Sequence, residues 1–146
     1  MPSTRMSSER GVLEELIQTR TEELNHINDA WDQKVSTVLS AEAKPAELER
    51  LAGDAPREDY YLLRLISEHP RVTSRTLSEL AKHPYAAIKE NVARHPNTDG
   101  NTLVRLSKDR SHPLWYLVAF NPNTPADLRQ KLRERMAKLG DAPGNK

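Results

Sequence analysis

From Ser8 to Leu39 the chain contains no proline, and its apolar residues include Leu13, Ile17, Leu24, Ile27, Trp31 and Val38. The steps between them are 4, 7, 3, 4 and 7, the spacing of a heptad seam. Arg20 and Lys34 occupy two further seam slots, so the stripe is imperfect. The pattern predicts one long amphipathic helix over residues 9–40, preceded by a flexible tail at residues 1–8. Its stripe needs a cover, either the rest of the chain or the same helix of a second copy. A homodimer seam built from these six residues is therefore one expectation.

Beyond residue 40 the pattern shortens. Pro45 suits the first turn of a helix, where its missing N–H costs nothing, and Leu48 and Leu51 supply that helix with an apolar side. Gly53-Asp54-Ala55-Pro56 ends it, and a second short helix follows to Glu68 with Leu62, Leu65 and Ile66 inward. A period then becomes explicit. His69-Pro70, His95-Pro96 and Asn121-Pro122 are each 26 residues apart, and VARHPNT at 92–98 returns as VAFNPNT at 118–124. Leu77 and Leu80 recur as Leu103 and Leu106; in the last unit Leu128 and Leu132 serve, with Arg129 in one leucine slot. Ile88, Val92 and Ala93 recur as Leu114, Val118 and Ala119.

Helices of about ten residues are marginal alone in water, so each pair needs a neighbour against which to bury its aliphatic side. Proline pushes the residue before it out of the α region, which stops one helix. The Thr98 and Thr124 side chains are then placed to cap the next. The predicted fold is all-α. It is a short curved α-solenoid of about three and a half helix-pair repeats over residues 44–138, after the long N-terminal helix and before a disordered tail at residues 139–146.

The run Val-Ala-x-x-Pro-Asn-Thr-Pro-x-x-Leu at 118–128 resembles the leucine-rich repeat variant family. The match is best at 118–132 and weaker at 92–106, 66–80 and 44–51, so it covers about residues 44–135. The resemblance implies units that alternate an α-helix with a short, often 3₁₀, helix in a curved right-handed stack. Some members carry a cysteine-rich cluster domain before the repeats. This chain has no Cys, and its long helix stands in that place.

Composition narrows the chemistry. Absence of Cys excludes disulfides, thiolate metal sites and a Cys nucleophile. No apolar run approaches the length of a membrane span, which predicts a soluble, cytoplasmic protein without membrane contact. The net charge of +1 hides a division: residues 1–68 carry 8 Lys/Arg against 14 Asp/Glu, and residues 69–146 carry 14 against 7. His69 and His95 share a repeat position with Asn121, so turn hydrogen bonding explains them better than catalysis. His83 and His112 precede prolines, and His26 lies on the long helix; no spacing suits a metal. The pairs Glu14-Glu15, Glu22-Glu23 and Glu58-Asp59 diverge by about 100° on a helix and do not converge on a substrate. No phosphate-binding glycine motif or nucleophile elbow occurs. The expectation is a non-enzymatic module without cofactor or metal.

Stepping by 26 residues along the second helices gives the columns Leu63, Lys89, Trp115 and Arg64, Glu90, Tyr116. In stacked helical repeats such columns can line one long binding face. The predicted partner-binding residues are Lys89, Arg94, Arg105, Arg110, Trp115 and Tyr116. Trp115 and Tyr116 are the anchors, or alternatively cover the open end of the stack under the last helix. A protein is the first expected partner. Nucleic acid is the alternative, through the basic C-terminal half with aromatic rings for base stacking.

Overall fold

Short helices punctuated by x-Pro turns account for most of the chain. The computed structural model describes residues 2–109 and 111–140, the side chains of residues 2–8, Ile27, Asn28 and His112 aside. All of its regular structure is α-helical: α1 (Pro2–Leu39), α2 (Pro45–Asp54), α3 (Tyr60–Glu68), α4 (Ser74–Leu80), α5 (Ala86–Arg94), α6 (Gly100–Ser107), α7 (His112–Phe120) and α8 (Ala126–Lys138). The chain divides into two units, Met1–Thr37 and Val38–Lys146. Helix α1 begins at Pro2, not near Glu9, so the tail expected at residues 1–8 is helical from its second residue. At the other end Gly140, with φ +75°, supplies the left-handed residue that stops α8. The tail expected beyond it lies outside the described residues.

In the second unit α5 packs on both α3 and α7, α2 packs on α4, and α8 closes on α7. The core is the aliphatic set that the period marks out. Leu48, Leu77, Leu80 and Leu103 come from the first helices of the pairs, and Leu62, Ile66, Ile88, Val92 and Val118 from the second; each is at most 1% exposed. Burying each such side chain is worth about 2 kcal/mol. In α8 the buried residues are Leu132 and Met136, while Leu128 is half-buried. Leu63, assigned by the column argument to an outer face, is fully buried. Val38, the last residue of the expected dimer seam, is 3% exposed within the second unit, so it is core and not seam.

The turns explain why the period is strict. His69, His95 and Asn121 end α3, α5 and α7 with φ near −70° and ψ near 130°, the conformation imposed by the following proline. Each side chain then makes the same two connections. Forward, the backbone N–H two residues on donates to it: Arg71 to His69 Nδ1 at 3.0 Å, Asn97 to His95 Nδ1 at 3.0 Å, Asn123 to Asn121 Oδ1 at 2.9 Å. Because Nδ1 accepts, the imidazole proton sits on Nε2, and Nε2 donates backward. His69 reaches Ser40 O at 2.8 Å, His95 reaches His69 O at 2.8 Å, and Asn121 Nδ2 reaches His95 O at 3.0 Å. The ring's acceptor and donor are thus matched by the Asn carbonyl and amide, which is why the two residue types exchange here.

A second set runs beside it. Asn97 Nδ2 donates to Pro70 O and Val72 O, and Asn123 Nδ2 to Pro96 O and Thr98 O. The ladder ends on Arg129. This residue fills the leucine slot of the last unit, and its guanidinium donates to Asn121 O at 3.0 Å and Thr124 O at 3.4 Å. These are the carbonyls that a further unit would have taken.

The predicted capping by Thr98 and Thr124 is corrected. Their hydroxyls point back and donate to Val92 O and Val118 O, last-turn carbonyls whose partner four residues on is a proline without an N–H. The N-caps are one residue on: Thr73 accepts from Thr76 N at 3.3 Å and Asp99 from Thr102 N at 2.8 Å. Hydrogen bonds from the Thr102 hydroxyl and backbone hold the Asp99 carboxyl below its usual pKa.

His95 sits 5% exposed between its two partners, so His95→Ala takes one of two donors from the His69 carbonyl, which keeps the Val72 N–H, and removes the side-chain acceptor of the Asn97 N–H. This should cost about 1–3 kcal/mol in urea denaturation. His95→Asn keeps both connections and should remain within about 1 kcal/mol of wild type. Equal losses would show that the ring's bulk, not its hydrogen bonding, is required.

Candidate protein-binding face

On α3, α5 and α7 the residues not directed into the core form three rows at the 26-residue step. Arg64, Glu90 and Tyr116 make the first, Leu65, Asn91 and Leu117 the second, and Glu68, Arg94 and Phe120 the third. Every residue of these rows is half-buried or exposed. Leu65, expected inward, is half-buried in the middle row. The third row consists of the last helical residue of each helix, immediately before the ladder residue.

Chemistry changes along the rows. On α3, Arg64 Nε pairs with Glu68 Oε1 at 3.2 Å, both side chains nearly half exposed. Asn91 of α5 donates to the same Glu68 oxygen at 3.2 Å and to Ser67 Oγ at 3.0 Å, tying α3 to α5. Arg94 Nε reaches only its own helix, Glu90 O at 3.4 Å. On α7 the surface becomes apolar: Tyr116 and Phe120 stack with centroids 6.3 Å apart at 16°, and Phe120 is 61% exposed. Between the ends of α3 and α5 lies a groove of about 400 Å³, lined by Ser67, Glu68, Pro70, Asn91, Arg94, His95 and Pro96.

The predicted site residues do not all meet here. Tyr116 and Arg94 are on the face. Trp115 is half-buried against α8: its indole N–H donates to Asp109 O at 2.7 Å, and the Arg135 guanidinium lies 5.0 Å over its ring. Lys89 joins the same cluster through a 3.0 Å ion pair with Asp109. Trp115 thus lies between the Asp109 turn and α8, not on the face formed by the three rows. Arg105 belongs to the side of the first helices, where it donates to Ser78 Oγ at 2.6 Å. Arg110 lies outside the described residues. On α1, Leu13, Ile17 and Leu24 are 45–58% exposed and Trp31 is half-buried. The side chain of Ile27 lies outside the described residues. Phe120, Leu117, Glu68 and Asn91 were not among the expected residues, although stepping 26 from Arg94 reaches both Glu68 and Phe120.

A second cleft is lined by Glu49, Arg57, Arg75, Glu79 and His83, among others. Burial, and then the charge of Arg57, hold the His83 imidazole below its usual pKa. The cleft's carboxylates are internally paired, Glu49 with Arg75 at 3.3 Å and Glu79 with Lys82 at 3.1 Å. That arrangement sets no acid and base against a common substrate position. Among the described residues no His, Asp and Glu group could hold a metal ion, and no helix is long and apolar enough to cross a membrane.

Comparison with family models, with curated proteins and with solved structures finds no match. The face is accordingly read from its own geometry.

The Trp115–Arg135 contact is testable. In a Trp31→Phe background, Arg135→Ala should increase acrylamide quenching of Trp115 and cost about 0.5–1 kcal/mol of stability. Unchanged quenching would show that α8 does not shield the ring.

Proposed function

We propose that this chain is a non-enzymatic binding module, an adaptor that takes a protein partner on the outward face of α3, α5 and α7. One observation carries the reading. From Leu114 to Phe120, helix α7 reads LWYLVAF, apolar on every side, yet only Leu114, Val118 and Ala119 are buried. A helix hydrophobic all round belongs in a core. Tyr116, Leu117 and Phe120 instead form an apolar end to a face that is otherwise charged, the mixture found where a partner's core contact is ringed by polar groups. The curved solenoid implied by the leucine-rich repeat variant resemblance would present the three rows as one continuous surface.

The nucleic-acid alternative is less well supported, because much of the basic half is committed internally. Lys89 pairs with Asp109, Arg105 with Ser78, and Arg129 with the last turn's carbonyls. The Trp115 ring, the stacking platform that reading requires, already faces Arg135.

With a partner recovered on the immobilised chain, Phe120→Asp should raise Kd at least about 30-fold, the effect of losing an interface anchor worth about 2 kcal/mol. Circular dichroism should be unchanged and salt dependence shallow. Unaltered affinity in the variant would remove the face from consideration. Steep weakening with salt and tight oligonucleotide binding would favour the alternative.

Self-association through α1 accompanies this proposal, because Leu13, Ile17, Leu24 and Trp31 keep heptad spacing and the first three are exposed. A second copy of α1 is the occupant whose own apolar residues repeat at that spacing. Ile17→Glu with Leu24→Glu should reduce the sedimentation mass from two chains to one. A wild-type protein that sediments as a single chain excludes the dimer.

A further inference from the structure

We infer that the face takes an extended, polyproline-type segment bearing a basic, an acidic and a large apolar side chain at intervals of three residues, read in turn by Glu68, Arg94 and Phe120. The inference rests on the protein-binding role proposed above and specifies the partner's chemistry.

Spacing is the first argument. Glu68, Arg94 and Phe120 each occupy the final position of their helix, and all three are exposed. The next residue in each case is a ladder residue, His69, His95 or Asn121, and backbone-to-side-chain bonds of 2.8–3.0 Å hold these turns at one repeating step. Helices in direct contact lie about 8–10 Å apart. A polyproline II segment rises about 3.1 Å per residue with three residues per turn, so every third side chain points the same way about 9 Å further on. A β-strand turns alternate residues to opposite sides and would present its third residue away from the face.

Groove size is the second. The space between the ends of α3 and α5 is about 400 Å³. The exposed Pro70 and Pro96 line the groove with rigid apolar rings, against which an extended chain can lie. Asn91 lines the groove with Glu68 and Arg94; its amide nitrogen donates to Ser67 and Glu68, and its carboxamide oxygen is the atom that can accept a backbone N–H. A polyproline-type backbone has no internal hydrogen bonds and presents such N–H groups.

Charge order is the third. Along the third row the surface reads acidic, basic, aromatic, so the complementary segment reads basic, acidic, apolar. The first row, Arg64, Glu90 and Tyr116, has the opposite charge order. It is the third row that lines the groove, through Glu68 and Arg94, and this selects the order.

The test is fluorescence anisotropy of the full chain with two labelled peptides, Lys-Pro-Pro-Glu-Pro-Pro-Phe and its charge-inverted form Glu-Pro-Pro-Lys-Pro-Pro-Phe, each also synthesised in reverse order. One orientation of the first pattern should bind at least tenfold tighter than its inverted counterpart. The double variant Glu68→Arg/Arg94→Glu, with its fold checked by thermal unfolding, should reverse the preference. Equal affinity for both patterns, a preference the double variant does not change, or no binding in any orientation would overturn the inference. Tighter binding by a helical peptide with the three residues seven apart would also overturn it. Loss of a recovered partner's binding in Phe120→Asp would leave the wider proposal standing in each of these cases.

Discussion

Everything in the second unit depends on one hydrogen-bonded position, the residue before the proline at the end of each second helix. A helix leaves its last carbonyls without partners, and a proline in the turn removes one donor more. In a stack of short helices those carbonyls are buried, where an unpaired polar group costs more than a single apolar contact returns. His69, His95 and Asn121 add to the turns' own N–H bonds one side chain that accepts inside its own turn and gives the carbonyl of the turn before a second donor. The coupling has direction, so it needs two ends. Ser40, just past α1, supplies the first carbonyl; Arg129 covers the last two. A half-buried arginine in a leucine slot is thereby accounted for. It gives up some apolar burial, adds a second donor to the Asn121 carbonyl, which also accepts the Thr124 N–H, and supplies a donor to the Thr124 carbonyl.

That constraint also explains what can be read from sequence and what cannot. The 26-residue step is legible because the ladder requires a donor–acceptor side chain, a proline and an aliphatic pair at fixed offsets. The roles of His69 and His95 follow from their exchange with Asn121. Thr98 and Thr124 are harder to read. A hydroxyl beside a helix start can accept forward or donate back, and only the geometry shows it bonding to Val92 and Val118. Val72 in the equivalent slot of the preceding unit already shows that capping is not what the position demands.

The candidate face is less legible, because the column argument assumes that equivalent positions have equivalent surroundings. They do not at the ends of a finite array. Leu63 is sealed in, Lys89 is paired, and Trp115 is overlain by Arg135 of α8. Heptad spacing likewise continues to Val38, although that residue's packing belongs to the next unit. Residue type compounded the difficulty. Trp115 draws attention as an anchor, whereas Phe120, one position before a turn, reads as part of the helix end.

The same physics separates what must repeat from what is free to differ. Buried positions are bound by packing: Leu62, Ile88 and Leu114 exchange only among aliphatics, and the ladder residues only between His and Asn. The position just before each ladder residue is held in place by these neighbours, yet its own side chain is in solvent. Its three occupants, Glu68, Arg94 and Phe120, share neither charge nor polarity. Geometry is thus set by one residue and chemistry by the residue beside it. A row whose spacing cannot drift but whose side chains can vary is the arrangement by which a regular scaffold discriminates among partners, since each substitution changes what is recognised without loosening what holds the turns together.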